Sequence, residues 1–346
     1  MNKKPMFDFI VGNPPYQEMD GGAAASARPI YHHFFNAAKD MATSVELVMP
    51  ARWMAGGKGL DGFRKDMLQD KSVKLLHDYT SSAELFNNVD IKGGVCVLLW
   101  DKNHNAPCTC IRHDIDGVTQ DVRYLSDGSD EVFIRYGELV SILHKVQSFG
   151  EDSVSRIVSP TKPYGLRGDT MRDTQKYNLP PFSNTPIPDG YEILGVDEKN
   201  NRIWKYIHKK YPLPKLGYLG FWKVFIPEAY GCGALGEVPS TPVLGTPVQI
   251  CTETFVEAGP FETQAEAENF NKYLHSKFFR CLVSIKKQTQ HAAQRVYEFV
   301  PVQVFDSAST IDWSQSVADI DKQLYTKYGL SQDEIDFIES HVKEME

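Results

Sequence analysis

The sequence predicts an α/β fold that continues into an irregular, β-rich region, and three observations lead to this class. Short apolar runs alternate with segments of helical spacing over residues 1–150. Prolines and aromatic residues then interrupt short strand-like pieces over 151–305. Helical signals return over 306–346. We therefore expect three parts with these boundaries.

The first part begins with an apolar run over 6–11, which ends at Gly12 and predicts a buried parallel strand. Helical spacing over 30–41, directly after Pro29, predicts the first helix. Further strands are predicted over 45–49, 73–76, 95–100 and 109–113, with a second helix over 62–69. We expect the last two strands to form a hairpin.

Two capping signals mark the later helices. Thr263 with Glu266 predicts the start of a long helix that reaches about residue 286, and Ser331 with Glu334 predicts a final short helix. These helices follow a region in which prolines leave room only for short strands.

Composition narrows the class of protein. No apolar run is long enough to span a membrane, and residues 1–5 do not resemble a signal peptide, so we expect a cytoplasmic protein. Six cysteines without regular spacing predict reduced thiols. The net charge of −8 argues mildly against a nucleic-acid partner, although the distribution of charge matters more than the total.

The strongest motif is Asn13-Pro14-Pro15-Tyr16, at the end of the first predicted strand. The side-chain carbonyl of Asn13 and the backbone carbonyl of Pro14 can accept both hydrogens of an exocyclic amine, which frees the nitrogen lone pair for attack on a methyl donor. The prolines hold this geometry, and Tyr16 can stack on a base that has left the duplex. The alternative is a proline-rich turn with a core tyrosine.

These residues resemble the catalytic motif of amino-group DNA methyltransferases, particularly the large adenine-N6 enzymes of type II restriction-modification systems. The match is close over Phe7 to Gln17 and weaker over 161–169, 217–236 and 288–301. The resemblance implies a partial class I, Rossmann-like methyltransferase sheet, followed by a target recognition domain and C-terminal helices. It also implies an aromatic residue on the other side of the base, for which Phe86 is the candidate; a core phenylalanine is the equal alternative.

The resemblance implies S-adenosylmethionine as methyl donor, bound on a Gly-rich turn upstream of the catalytic loop. The sequence has only twelve residues before Asn13, so we expect a second polypeptide or missing half to carry that site, and an apolar edge and face to be exposed without it. The only similar turn, Gly231 to Gly236, is followed by prolines that block a helix, and we interpret it as a structural or DNA-facing loop.

Basic residues form two groups, one over 202–215 and one over 277–295, and the tail after Phe305 is mainly acidic. Polar residues and glycines over 161–169 and 288–291 suit contacts with double-stranded DNA. The alternative for each group is a solvated surface. The candidate DNA contacts are Lys162, Tyr164, Arg167, Lys209, Lys210, Lys286, Lys287, Gln290, His291 and Arg295.

One cluster has the ligand types of a zinc site: His104, Cys108, Cys110 and His113. We do not predict a metal there, because the two cysteines are too close in sequence and share a strand face by alternation. The main hypothesis is therefore site-specific methylation of adenine N6. The alternatives are a DNA-recognition subunit or degenerate relative without catalysis, and a methyltransferase acting on cytosine N4 or a protein glutamine.

Overall fold

The computed structural model describes residues 5–18, 28–55, 59–86, 91, 93–114, 117–231, 233–287 and 289–345. The chain divides into two compact units, Met1–Ser141 and Ile142–Glu346. The division between the two units lies close to the boundary predicted at residue 150. Residues 306–346, predicted as a separate extension, fall in the same unit as 151–305, because Asp321 accepts hydrogen bonds from the backbone amides of Lys277 and Phe278.

The first unit is built on one mixed sheet. Its elements are β1 (Phe7–Gly12), α1 (Tyr31–Met41), β2 (Ala42–Pro50), α2 (Asp61–Gln69), β3 (Val73–Tyr79), β4 (Val95–Asp101), β5 (Cys108–Asp114) and β6 (Gly117–Arg123), and α3 (Gly137–Gln147) crosses the division between the units. The strand order is β1-β2-β4-β3-β5-β6. β1 runs parallel to β2 and β3 parallel to β5, and the remaining pairs are antiparallel. The predicted α/β class is confirmed.

One strand pairing was predicted wrongly. β5 does not form a hairpin with β4; it pairs in parallel with β3 and antiparallel with β6. The apolar pattern locates these strands but does not encode their neighbours, because pairing depends on residues far apart in sequence. Strand β4 instead lies between β2 and β3.

Helices cover one face of the sheet. On α1 the side chains of Tyr31, Phe35 and Ala38 are buried, at the spacing of one helical face. They join a core that also contains Val45, Leu47, Trp53, Phe63, Leu76 and Leu98. Alternation along each strand directs these sheet residues to the same side.

The opposite face of the sheet is uncovered and largely apolar. The register of the strands places on it Phe7, Phe9, Val11, Glu46, Val48, Leu75, His77, Tyr79, Val97, Leu99, Ile111, His113, Val118 and Val122, and each of these is half-buried or exposed. Val11 and Val122, on the two edge strands, are 69% and 63% exposed. Among the described residues, β1 pairs only with β2. The first unit therefore has both the apolar face and the free edge expected from the sequence. The strand over 6–11 is parallel as predicted but is not buried, because no described element pairs with its other edge or covers Phe7, Phe9 and Val11.

The described residues of the second unit form, after α3, two small sheets and four α-helices. Its strands are β7 (Gly190–Val196), β8 (Arg202–His208), β9 (Trp222–Pro227), β10 (Val243–Gly245), β11 (Gln249–Cys251) and β12 (Phe255–Phe261), and its helices are α4 (Gln264–His275), α5 (Lys277–Lys286), α6 (Val317–Lys327) and α7 (Gln332–His341). The sheets have the orders β10-β9-β12 and β11-β7-β8. These short strands match the predicted irregular, β-rich region.

The long helix predicted to reach residue 286 is two helices. Ser276 is extended, and its hydroxyl accepts a hydrogen bond from the Phe279 amide at 3.1 Å, so it ends α4 and caps α5. The capping box predicted at Ser331 and Glu334 is confirmed.

The composition predicts that no segment spans a membrane and that the cysteines are reduced thiols. None of the described helices is long and apolar enough to cross a membrane. Cys96, Cys108, Cys110, Cys251 and Cys281 are buried and unpaired, as predicted for reduced thiols, and Cys232 lies outside the described residues.

The difference between the two sheet faces can be tested with matched substitutions. Val45 is fully buried on the covered face, so a hydroxyl in Val45→Thr would lack water and lower the free energy of unfolding by about 1–3 kcal/mol. Val122→Thr on the uncovered face should change it by less than about 0.5 kcal/mol. Urea denaturation measures both. Equal losses would contradict the assignment of the faces.

Candidate functional site

The Asn13-Pro14-Pro15-Tyr16 loop lies at the carboxyl end of β1. Because β1 and β2 are parallel, this loop and the 3-10 helix Ala51–Met54 leave the sheet at the same edge. The Asn13 side chain is exposed and Tyr16 is half-buried. The Ile30 amide donates a hydrogen bond to the Tyr16 carbonyl at 3.1 Å, so the loop is fixed at both ends. Asn13 is thus presented to solvent from a rigid support.

The Tyr16 hydroxyl points into the protein. Burial raises its pKa, the nearby Cys96 thiol raises it further, and the Asn13 side chain opposes this rise. In the described part of the chain, two buried polar atoms near this edge lack a hydrogen-bond partner, Nδ1 of His32 and Nε of Arg52. Such groups are uncommon in folded proteins unless a water or ligand satisfies them. The edge therefore has unused polar groups beside the exposed Asn13.

Phe86 follows β3, whose carboxyl end lies at the same edge because β3 and β2 are both antiparallel to β4. Its ring is half-buried, and its amide donates to the Ser82 carbonyl at 2.9 Å. Only β4 separates β2 from β3, so β1 and β3 are about 14 Å apart at a strand spacing of 4.7–4.9 Å. Residues 87–90, next to Phe86, lie outside the described part.

The Gly-rich turn from Gly231 to Gly236 has its donors occupied from within the protein. The Glu237 carboxylate accepts hydrogen bonds from the Gly233 and Ala234 amides at 2.9 and 3.0 Å and pairs with Lys287 at 2.6 Å. A cofactor phosphate or ribose would have to displace this carboxylate. The turn therefore fits a structural loop, and it does not fit an S-adenosylmethionine site.

The four candidate zinc ligands do not converge. Cys108 and Cys110 face the covered side of the sheet, whereas His113 lies on the other face, stacked on Tyr79 with ring centroids 4.0 Å apart. Among the described residues there is no group of three or more His, Cys, Asp or Glu side chains that could hold a metal ion.

In the second unit, Tyr164 anchors the 161–169 loop instead of facing solvent. Its side chain is fully buried, and its hydroxyl donates to Glu257 at 2.8 Å. Lys223 is also fully buried beside it, with Nζ 3.4 Å from the Tyr164 hydroxyl. Burial lowers the pKa of Lys223 to about 8, although Glu257 opposes this. Tyr164 is therefore removed from the candidate DNA contacts.

The structure joins the two loops that the sequence selected for DNA contact. Lys162 and Arg167 lie 3.1 and 3.6 Å from Glu253, and the Thr254 carbonyl accepts a hydrogen bond from the Glu228 amide at 2.9 Å. The Glu228 carboxylate in turn lies 3.1 Å from Nδ1 of His291.

Arg167 and His291 are exposed, and Lys162 is half-buried. Loops 120 or more residues apart in sequence thus form one continuous surface. We name this surface, formed by Lys162, Arg167, Glu228, Glu253, Thr254, Gln290 and His291, the polar surface. Glu228 and Glu253 were missed at the sequence level, because nothing in their local spacing links them to the basic residues.

The remaining candidate contacts divide into exposed and internal residues. Lys210, Gln290 and Arg295 are exposed, and Lys209 is half-buried beside Asp189 at 3.1 Å. Lys287 is 3% exposed and paired with Glu237, and the Lys286 side chain is 7% exposed and paired with Glu298. The Lys287–Glu237 pair is buried, whereas Lys286 lies along the protein with its charge paired to Glu298, whose side chain is 42% exposed. Both lysines are therefore removed from the candidate DNA contacts.

Residues 1–86 match the Eco57I restriction-modification methylase family. The match includes the loop at Asn13 and ends at Phe86. An uncharacterized adenine-specific methylase of Mycoplasma pneumoniae is 30% identical over 102 residues, which are 28% of this chain and 24% of the relative. The resemblance to restriction-modification methylases is confirmed for this segment.

One solved structure supports the fold over nearly the whole chain. The type IIL restriction-modification enzyme MmeI, solved in complex with DNA, aligns with 96% of this chain and 56% of its own, at 12% identity and a TM-score of 0.51. At this identity the likeness concerns the fold alone. The chain thus spans little more than half of MmeI, and its alignment with the curated relative spans about a quarter of that protein.

The buried group under the 161–169 loop can be tested directly. Lys223→Met leaves Glu257 without its buried cation and should lower the free energy of unfolding by about 3 kcal/mol or more. The double variant with Glu257→Gln removes the unpaired charge and should recover part of that loss. Chemical denaturation measures the change, with the exposed Lys199→Met as control. A loss no larger than that of the control would show that the cluster does not support the loop.

Proposed function

We propose that this chain is the catalytic and DNA-contacting part of a site-specific DNA methyltransferase of a restriction-modification system, which methylates adenine at N6. One observation carries the proposal: the Asn13-Pro14-Pro15-Tyr16 loop lies rigidly at the carboxyl edge of a parallel strand, within the segment that matches the methylase family. This chain is similar to a relative named as an adenine-specific methylase, which favours adenine as the target over cytosine N4 or a protein glutamine.

The chemistry assigned to this chain is to hold the target amine. The Asn13 side-chain oxygen and the Pro14 carbonyl accept the two N6 hydrogens, which localises the nitrogen lone pair and orients it for attack. Tyr16 stacks on the flipped adenine. Phe86 closes on the other side of the base. Asn13 is exposed, as a residue that contacts an incoming base must be.

S-adenosylmethionine is the proposed donor and supplies an electrophilic methyl group when bound. The described residues of the Gly231 to Gly236 turn already hold the Glu237 carboxylate, so this turn does not fit the cofactor. We propose that a separate α/β half carries that site.

Two features of the first unit support such a partner. The free edge of β1 can accept a further strand, and the uncovered sheet face can accept helices, which parallel and mixed α/β sheets need on both faces.

Double-stranded DNA is the proposed substrate of the second unit. Its candidate contacts are the accessible residues Lys162, Arg167, Lys209, Lys210, Gln290, His291 and Arg295. Charged and amide side chains of this kind fix phosphates and read base edges. The proposed substrate also agrees with the cytoplasmic location expected from the sequence.

Methyl transfer with Asn13→Ala tests the assignment of the catalytic loop. When the purified chain is supplemented with the separate half proposed to bind S-adenosylmethionine, tritiated cofactor should label mixed-sequence DNA, and Asn13→Ala should reduce that label at least a hundredfold, because one acceptor of the amine is lost. Asn105→Ala, an exposed asparagine of the same unit, is the matched control. Calorimetric binding of S-adenosylmethionine is measured alongside.

The outcomes separate the functions. Cofactor binding with transfer that is unchanged in Asn13→Ala would refute the catalytic role of the loop. Absence of both cofactor binding and transfer would leave the chain as a half that needs its partner. DNA retention without transfer, even when cofactor binds, would favour a recognition subunit.

The uncovered face generates a separate prediction. Because Phe9 and Val11 are 49% and 69% exposed on one face, the purified chain should bind an apolar fluorescent dye and self-associate in sedimentation velocity. The double variant Phe9→Ser, Val11→Ser should reduce both signals at least twofold. Phe149→Ser, equally exposed in the second unit, should leave them near the wild-type level. A wild-type monomer that binds no dye would contradict the proposal of an unpartnered face.

A further inference from the structure

Three donors converge on one carboxylate within the polar surface. Lys162 Nζ lies 3.1 Å from Oε2 of Glu253, and Arg167 Nε lies 3.6 Å from Oε1. The Gly168 amide donates to the same Oε1 at 3.1 Å. Two cations and a backbone amide around one anionic group are the donor set that proteins use for phosphate.

This group is accessible to solvent, unlike the Glu237 carboxylate, which accepts backbone amides from the Gly231 to Gly236 turn. The side chains of Lys162, Arg167 and Glu253 are 37%, 55% and 29% exposed. Glu237, which holds the Gly231 to Gly236 turn, is 13% exposed and faces the buried Lys287. Solvent-accessible ion pairs contribute little to stability, so breaking those of Glu253 costs the fold little.

The loop keeps its shape without the carboxylate. Its backbone is tied to the 252–254 turn by the Glu253 amide, which donates to the Leu166 carbonyl at 2.9 Å. Tyr164 fixes it from below through Glu257. Lys162 and Arg167 can therefore exchange one anion for another while the backbone stays in place.

We propose that Glu253 occupies a phosphate site of the DNA backbone, which Lys162, Arg167 and the Gly168 amide form and which DNA enters by displacing the carboxylate. This inference rests on the proposed DNA contact of the second unit. In the free protein the carboxylate neutralises one of the two cations. The carboxylate thereby weakens binding to any duplex whose other contacts with the protein do not offset its displacement.

The test is DNA affinity of the full chain carrying Glu253→Gln. Glutamine retains an oxygen for the Gly168 amide but removes the charge that competes with phosphate. Fluorescence anisotropy with a labelled mixed-sequence duplex of about 20 base pairs should show binding that is threefold to tenfold tighter than wild type at 0.1 M salt. The slope of log affinity against log salt should stay the same, because wild-type protein also places one phosphate in this site once the carboxylate is displaced.

Three controls make the result specific. Glu198→Gln removes an exposed charge elsewhere in the same unit and should change affinity by less than twofold. Adding Lys162→Gln to Glu253→Gln should abolish the gain. The third control replaces chloride by phosphate at equal ionic strength. Free phosphate would block a site that binds any phosphate ion, but it would not block a site that needs the DNA backbone.

The possible failures are distinguishable. If Glu253→Gln binds DNA no better than Glu198→Gln, or more weakly, Glu253 only supports the loop and the inference is overturned while DNA binding stands. If free phosphate alone removes the gain, the site is not specific to the DNA backbone. If wild type and every variant fail to bind duplex at low salt, the proposed DNA contact fails and this inference fails with it. Thermal melting by circular dichroism checks that the variants are folded.

Discussion

The parallel pairing of β1 with β2 is the constraint on which the rest of the first unit depends. It brings the Asn13-Pro14-Pro15-Tyr16 loop and the turn after β2 to one edge of the sheet. It also fixes which face each side chain of β1 occupies, since successive residues alternate. A shift of one residue would turn Ile10 outward and move the loop away from Cys96. The chemistry proposed for Asn13 therefore depends on backbone register as much as on the loop itself.

Local features of both units could be read from the sequence. The strand before Gly12, the helix after Pro29 and the capping box at Ser331 each depend on residues within a few positions of one another. The position of the Asn13 motif at the end of the first strand was also predicted from the sequence. These predictions succeeded because apolar periodicity and capping are short-range signals.

Long-range features could not be read in this way. Tyr164 was expected to face DNA, but its partner Glu257 lies 93 residues away and draws it into the core. Lys287 was placed on a basic surface, yet Glu237, fifty residues before it, holds it inside. The predicted hairpin of β4 and β5 was wrong for the same reason. Charge and spacing show which residue types are present, whereas burial depends on neighbours that only the fold brings together.

The Tyr164, Lys223 and Glu257 cluster has a consequence for how such a protein can change over time. It fixes the backbone of the 161–169 loop from the interior, whereas Lys162 and Arg167 extend from the rim of that loop. Substitutions at the rim can alter what the loop touches without disturbing how it is folded. A lineage could therefore acquire new target preferences through single surface changes, while the buried anchor preserves the scaffold from which each new preference is presented.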